Sequence, residues 1–321
     1  MWKKESLFLV CLCVLFTVAF AGCISQQETR VYDQSSMNDL AEYVQDAAGY
    51  VQTPGAEDAL SEFCAKDGRF TLGDWYIYAY DYDGILQAHP YETDLVGTYR
   101  GNWTDVHGLP VIAIAQETAA HGGGYITYLY PAPEDGVINE SAAETYIPKI
   151  GYIYPAGADL WLGSGMYFGD TPAAGEDGHP AAISEMITLV EAGAAYADTH
   201  GTGAALAAVG NVSGPLVDAE GHYLYAYDYN GTLIAHPYLS DRVGENLIER
   251  IGPFGMENIR ALAETAEDGG GFVVFVWPNP ANDNLDELKI GYVLPVNDEW
   301  WVGSGVYLSE ITGVDSVLAL R

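Results

Sequence analysis

The chain contains one long motif twice, and this duplication limits what it can fold into. The segment YAYDYDGILQAHPY at 78–91 recurs as YAYDYNGTLIAHPY at 225–238, with eleven of fourteen positions identical at an offset of 147 residues. Further along the offset becomes 140, and WLGSGMY at 161–167 matches WVGSGVY at 301–307. Solenoid and propeller repeats are about 20 to 50 residues long, so a period of about 140 predicts two whole domains.

The first 23 residues have the layout of a secretory signal. A short basic start precedes an apolar stretch from Leu7 to Phe20 and small residues that end at Cys23. The Ala-Gly-Cys boundary resembles the lipobox of prokaryotic lipoproteins, in which the cysteine becomes the lipid-modified first residue. The alternative is an uncleaved anchor, although the stretch is short against the ~20 residues that span a bilayer. Both interpretations place residues 24–321 in an extracytoplasmic compartment.

The charge balance argues against polyanionic partners. The chain carries 12 Lys and Arg residues against 45 Asp and Glu residues, a formal net charge of −33. Such a surface repels nucleic acids and anionic lipid surfaces. We therefore expect no nucleic-acid partner, and contact with a membrane only through the N-terminal lipid.

Each copy shows the same order of predicted elements: helix, two strands, helix, three strands. Helical spacing predicts helices over 37–51, 109–120, 183–196 and 256–267. After a tyrosine-rich hairpin in each copy, the other predicted strands cover 125–130, 149–154, 160–167, 272–277, 289–294 and 300–307. This order predicts an α+β domain with a five-stranded antiparallel sheet, a long N-terminal helix, and helices on one side of the sheet.

Taken together, the motifs resemble the single Cache domain. Each copy has a leading helix, then Tyr-x-Tyr-Asp-x-[Asp/Asn]-Gly, Ala-His-Pro-Tyr, Val-Gly, Gly-Gly-Gly, [Tyr/Trp]-Pro-x-Pro, Lys-Ile-Gly-Tyr and Trp-x-Gly-Ser-Gly-x-Tyr. The resemblance covers residues 36–168 and 181–309. It implies a PAS-like fold and an extracytoplasmic domain that binds small organic molecules such as carboxylates and amino acids, as in chemoreceptors and sensor kinases.

The duplication and the resemblance divide the chain into six segments. They are a signal (1–23), a tether (24–35), a first Cache domain (36–169), a linker (170–180), a second Cache domain (181–309) and a C-terminal tail (310–321). Receptors of this family continue into a transmembrane helix and an output module, whereas the tail holds no apolar run of that length. We expect no output domain, and a membrane receptor, kinase or transporter as partner.

Residues kept in both copies are the first candidates for a ligand site. Only three lysines follow the signal, and two of them, Lys149 and Lys289, occupy equivalent positions. Each could meet a ligand carboxylate, form a structural ion pair, or extend along a strand towards solvent. His89 and His236 are the histidines that repeat, and each could donate to a carboxylate or fix the turn before a proline.

Aromatic and acidic residues complete the candidate site. The aromatic candidates on predicted strands are Tyr78, Tyr80 and Tyr128 in the first copy and Tyr225, Tyr227 and Phe275 in the second. Such rings can be simple core residues, or they can wall a small-ligand pocket. Asp81 and Asp228 could hold a ligand amine or cap their own hairpin turns.

The sequence favours binding over catalysis. A nucleophile with its base does not occur in both copies, and the repeated histidines lack a second ligand at metal spacing. We therefore expect no catalytic residues, metal or cofactor, and a small organic acid or amino acid as ligand. The alternatives are a structural or interaction lipoprotein whose pockets are filled by aromatic side chains, and an extracytoplasmic hydrolase. A cavity in either domain would favour binding, and two filled domains would favour the interaction protein.

Overall fold

The computed structural model describes residues 32–34, 36–53, 55–132, 137–170, 174, 178–217 and 221–314. The predicted signal with Cys23, and most of the predicted tether, linker and C-terminal tail, lie outside these residues. Within the described part of the chain, no helix has both the length and the apolar character needed to cross a bilayer.

The first copy forms the first domain. Its helices are α1 (Met37–Val51), α2 (Ala56–Phe63) and α3 (Val111–Ala120). Its strands are β1 (Thr71–Leu72), β2 (Trp75–Tyr76), β3 (Tyr78–Asp81), β4 (Leu86–Ala88), β5 (Gly124–Pro131), β6 (Tyr146–Pro155) and β7 (Leu160–Tyr167). Strands β1 and β2 pair with each other, and the other five form an antiparallel sheet in the order β4-β3-β7-β6-β5.

The second copy forms the second domain. Its helices are α4 (Ala181–His200), α5 (Thr202–Val209), α6 (Asn258–Glu267) and α7 (Leu308–Thr312). Its strands are β8 (Tyr225–Asp228), β9 (Leu233–Ala235), β10 (Gly271–Asn279), β11 (Leu285–Pro295) and β12 (Trp300–Tyr307). They form an antiparallel sheet in the order β10-β11-β12-β8-β9, which is the order of the first domain. The α+β prediction with two five-stranded antiparallel sheets is confirmed.

Helices cover both faces of each sheet, so the prediction that they lie on one side was wrong. On β3, Ala79 points into the cluster that contains α1, while the next residue, Tyr80, points into the cluster that contains α3. Successive strand residues face opposite sides of a sheet, and here both sets are buried. The sheet therefore needs an apolar cover on each side. The second domain repeats this arrangement, with α4 and α5 on one face and α6 on the other.

The face beneath α3 or α6 carries the aromatic residues of interest. Tyr80 stacks on Trp161 with ring centroids 4.9 Å apart, and Tyr227 stacks on Trp301 with centroids 5.2 Å apart. Both tryptophans are fully buried. Because the same stack recurs in both domains, Tyr80 on β3 and Tyr227 on β8 have equivalent positions on their sheets.

Candidate functional site

The aromatic face of the first domain encloses a cavity of about 30 Å³, called here the first cavity. The sequence-predicted residues that line it are Tyr78, Tyr80, His89 and Tyr128. Tyr130, which neighbours Tyr128 on the same predicted strand, also lines it, as do Tyr76, Glu92, Arg100, Trp103 and Glu140, which the sequence did not single out as site residues. A cavity of this size holds on the order of one or two water molecules. The first domain therefore fills most of its own pocket.

Lys149 lies buried beside the first cavity, with 1% of its surface exposed. Its Nζ atom is 4.7 to 5.0 Å from the ring centroids of Tyr76, Tyr130 and Tyr167, and it donates a 3.4 Å hydrogen bond to the hydroxyl of Tyr76. Among the described residues, no carboxylate oxygen lies within 4 Å of this ammonium group. Burial lowers the pKa of Lys149 to about 7. The structural ion pair considered for this lysine is therefore not formed with any described residue.

His89 uses its two ring nitrogens differently. Nδ1 accepts hydrogen bonds from the backbone N–H groups of Tyr91 and Glu92 at 3.1 and 3.0 Å, which places the proton of the neutral ring on Nε2. Nε2 lies 3.4 Å from Oε2 of Glu92, and the hydroxyl of Tyr130 donates to the same oxygen at 3.1 Å. One nitrogen thus fixes the turn while the other faces a carboxylate, so the two roles considered for this histidine coexist.

A second carboxylate reaches the first cavity from a loop. Glu140 lies in the connection between β5 and β6 and forms an ion pair with Arg100, whose guanidinium is 5.8 Å from the ring of Trp103. Arg100 is thus paired with Glu140, whereas Asp74, Glu92 and Asp170 act on Lys149 from beyond 4 Å.

The second domain is much more open. A cavity of about 550 Å³, called here the second cavity, is lined by the counterparts of Tyr76, His89, Glu92, Trp103 and Tyr130 and by further residues without a counterpart in the wall of the first cavity. Side chains that line it include Tyr223, His236, Arg242, Arg250, Trp277, Lys289, Tyr307 and Glu310. Small-molecule sites are typically about 300 to 1,000 Å³ in volume, so this cavity has the size of a ligand pocket.

A smaller space of about 20 Å³ adjoins the second cavity. Tyr225, Tyr227 and Phe275 line this small space and not the large one, whereas His236 and Lys289 line both. Three of the sequence-predicted aromatic residues therefore form a packed wall behind the open cavity.

Lys289 repeats the environment of Lys149 but opens onto the second cavity. It is 3% exposed, and its Nζ lies 4.4 Å from the ring of Tyr307 and 5.5 Å from that of Tyr223. Within the described part of the chain, no carboxylate oxygen is within 4 Å of the ammonium group. Burial lowers the pKa of Lys289 to about 8. A buried cation of this kind lowers the free energy of unfolding unless an anion or several dipoles face it.

The Gly-Ser-Gly motif provides space for these two lysines. A Cβ on Gly305 would lie 2.5 Å from Cε of Lys289, and one on Gly165 would lie 2.9 Å from Cε of Lys149. Any side chain at either position would push the lysine stem away from the sheet. At Gly305 the lysine is the closest group, and at Gly165 the carbonyl oxygen of Ile150 is equally close, at 2.8 Å.

Two arginines add to the positive charge of the second cavity. The guanidinium carbon of Arg250 is 4.0 Å from the ring centroid of Trp277, and its Nη1 is buried without a hydrogen-bond partner among the described atoms. Arg242 pairs with Glu245 at 2.9 Å. Three of the twelve Lys and Arg residues thus line one cavity, in which Glu310 is the carboxylate.

Asp81 and Asp228 lie outside all three of these spaces. Oδ1 of Asp81 accepts from the backbone N–H groups of Asp83 and Ile85, and Oδ1 of Asp228 accepts from that of Thr232. Each aspartate therefore caps its own hairpin turn. Contact with a ligand, the other role considered for them, has no support in this geometry.

The sequence prediction missed two kinds of residue. Tyr76 and Tyr223, and likewise Tyr167 and Tyr307, recur at equivalent positions, so comparison of the copies could have found them. Glu92, Arg100, Arg242 and Arg250 do not recur, and a search for residues shared by the copies passes over them. The signal for the three arginines was the scarcity of basic residues in the chain, and Glu92 had no such signal.

The assembled groups suit anion binding. Buried ammonium and guanidinium groups, a neutral imidazole N–H and tyrosine hydroxyls are hydrogen-bond donors to oxygen anions. The described residues include no cluster of three or more His, Cys, Asp or Glu side chains that could hold a metal ion.

The repeated sheet, its two helical covers and the pocket on one face define a protein of the PAS-like sensor-domain class. The chain belongs to the single Cache domain 2 family, whose model matches residues 25–178 and 183–315. Cache domains are extracytoplasmic domains that sense small molecules. The resemblance stated from the motifs is thereby confirmed.

Known proteins share parts of this chain. It is 36% identical over 90 residues to the sensor histidine kinase MctS of Rhizobium johnstonii. These 90 residues are 28% of this chain and 19% of that kinase. A methyl-accepting chemotaxis protein from Vibrio parahaemolyticus is 22% identical, covering 41% of this chain and 91% of the other at a TM-score of 0.35. A structure titled for carboxylic acid recognition by a Cache chemosensory domain is 20% identical, covering 40% and 91% at a TM-score of 0.31. The chain thus spans about a fifth of the length of the sensor kinase.

Proposed function

We propose that this protein binds a small organic carboxylate, such as a short organic acid or an amino acid, in the second cavity and does not transform it. One observation carries the proposal: a cavity of about 550 Å³ contains a buried lysine that has no described carboxylate within 4 Å. A ligand carboxylate would supply the close anionic partner that Lys289 lacks among the described residues.

The donors around the second cavity support this ligand class. Lys289 would form a charge-assisted hydrogen bond, and Nε2 of His236 is available because Nδ1 already accepts from the backbone of Tyr238 and Leu239. The unpartnered Nη1 of Arg250 could donate to a further oxygen of the ligand. For an amino acid, Glu310 is the group on the cavity wall that could take the amine.

A thermal-shift screen of the purified full chain tests this proposal. The panel contains acetate, propionate, lactate, succinate, malate and several amino acids, each with its amide or alcohol analogue as a neutral control. A ligand at 100 times its dissociation constant stabilises a protein by about 2.7 kcal/mol, which corresponds to a shift of roughly 5 to 10 °C. A shift by carboxylates and not by neutral analogues supports the proposal. No shift by any member would favour the interaction protein instead.

The proposal includes a lipid anchor on Cys23 and a membrane partner that reads the bound state. The signal layout supports the anchor, and the local similarity to a sensor histidine kinase supports a receptor, kinase or transporter as partner. Cross-linking in native membranes, with and without the carboxylate found in the screen, would identify that partner.

Replacement of Cys23 by serine is expected to move the protein from the membrane fraction to the soluble extracytoplasmic fraction. The lipid is attached to the cysteine thiol, and serine provides no thiol. Fractionation followed by mass spectrometry of the N-terminal peptide measures both the location and the modification. A membrane-bound serine variant without lipid would favour the uncleaved anchor.

A further inference from the structure

The turns after His89 and His236 differ at three positions: one places Leu95 where the second copy has Arg242, and another, residue 92 with its counterpart 239, also bonds to the histidine. At an offset of 147 residues, Glu92 of the first copy corresponds to Leu239 of the second. Both residues follow the histidine by three positions, and both donate their backbone N–H to its Nδ1. The backbone of the turn is therefore the same in both domains, while the side chain that faces the pocket changes from a carboxylate to an apolar group.

The carboxylate of Glu92 occupies the environment that a ligand carboxylate would need. It receives the Tyr130 hydroxyl at 3.1 Å and lies 3.4 Å from Nε2 of His89. Burial and the neighbouring Glu140 raise the pKa of Glu92, while Arg100 and Lys149 attract its carboxylate. In the second domain the equivalent histidine and lysine face open space instead.

Charge and open volume differ between the two domains. Arg100, Glu92 and Glu140 line the first cavity of about 30 Å³, and Lys149 lies beside it. The second domain has a counterpart of that cavity of about 20 Å³ and, in addition, the second cavity of about 550 Å³, which is lined by three cations and Glu310. Glu140 belongs to the β5–β6 connection, in which the first copy has a seven-residue insertion. Glu92 and Glu140 are therefore carboxylates that the second copy lacks at these positions.

We infer that Glu92 is a built-in substitute for a ligand carboxylate, so that the first domain is occupied by its own side chain and the second takes a ligand from solution. Residue 92 and its counterpart 239 decide which domain can bind. The inference rests on the proposed function only for the identity of the second domain's ligand.

Removal of the built-in group tests this inference directly. Glu92→Ala deletes a CH₂–COO⁻ unit, for which acetate is the matching fragment, and it is made together with Lys289→Met so that the second cavity cannot respond. At 100 mM, acetate is expected to raise the melting temperature of the double variant by about 3 °C or more, as for a ligand of millimolar affinity. Acetamide and sodium chloride at equal concentration are expected to have no such effect. Saturation-transfer NMR with acetate provides a second readout of binding.

Three controls make the result decisive. The single variant Lys289→Met retains Glu92 and is expected to show no acetate-specific shift of the melting temperature. Glu144→Ala with Lys289→Met removes an exposed carboxylate from the β5–β6 connection, and it is expected to show no such shift either. Glu92→Leu with Lys289→Met copies the second domain and replaces the alanine variant if that variant does not fold. Folded Glu92 variants that show no acetate effect would overturn the inference, and so would acetate binding to the first domain while Glu92 is intact. If the wild type bound no carboxylate in the screen but the double variant bound acetate, the proposed function would be refuted and the inference about Glu92 would stand.

Discussion

Replacing Lys289 with methionine is expected to weaken carboxylate binding by about 100-fold or more, because loss of one partner of a buried charge pair typically costs 2 to 5 kcal/mol. The unliganded protein is expected to be at least as stable as the wild type. Titration calorimetry with the carboxylate selected by the thermal-shift screen measures the first effect, and thermal unfolding without ligand measures the second.

The expected gain in stability follows from the pKa of the lysine. Burial lowers the pKa of Lys289 from 10.5 to about 8, so below pH 8 the folded protein holds the ammonium at a penalty. At 1.36 kcal/mol per pKa unit, this penalty is roughly 3 kcal/mol at neutral pH. Methionine has a similar length and no charge, so it removes the penalty and still fills the space between the rings of Tyr223 and Tyr307.

Lys149→Met in the first domain is the matched control. It removes an equally buried lysine from an equivalent tyrosine environment, but from a pocket that already contains Glu92. Its dissociation constant for the ligand is expected to stay within about twofold of the wild-type value, because additivity holds for distant sites. If Lys289→Met bound as tightly as the wild type, or if both variants lost binding together with stability, Lys289 would be a structural residue.

Much of the fold could be predicted from the sequence because its signals are local or repeated. Strands β7 and β12 and helix α1 begin and end at the predicted residues. Ser36 caps the N-terminus of α1, because its side chain accepts a hydrogen bond from the backbone N–H of Asp39. Helices α2 and α5 were not predicted. Both have eight residues, start after a glycine and have no side-chain cap, so tertiary packing rather than sequence signals stabilises them.

The composition of the site depended on contacts that no local pattern contains. Glu140 meets Arg100 across 40 residues, and the partner is chosen by the path of the β5–β6 connection. The repeated lysines and histidines could be found by comparing the copies, and both lie in the pockets or directly beside them. The filled and the open pocket are distinguished by residues that differ between the two copies. A search for positions shared by the copies cannot find such residues.

Carboxylate binding is expected to be constant between pH 5.5 and 7 and then to weaken about 100-fold between pH 7 and pH 10. A carboxylate ligand binds the protonated form of Lys289, and that form is depleted tenfold per unit above a pKa of about 8. His236 does not contribute in the lower range, because burial and then Lys289 lower its pKa to about 4 and keep the ring neutral. Calorimetric titrations across this range, in buffers without carboxylates, measure the profile.

Three further groups of the second cavity keep one charge state in this window. Burial raises the pKa of Tyr223 to about 12 and that of Tyr307 still further, and the pKa of Glu310 is lowered, so its carboxylate stays ionised.

The stability of the unliganded protein should rise with pH over the range in which carboxylate affinity falls. Between pH 8 and 10.5 the unfolded chain retains the lysine proton that the folded chain has released, so the contribution of Lys289 to stability rises with pH. Lys289→Met should abolish the pH dependence of binding and remove the contribution of Lys289 to stability, whereas Lys149, whose pKa burial lowers to about 7, still contributes. A fall in affinity as the pH rises from 5.5 to 7 would instead identify a histidine as the titrating partner.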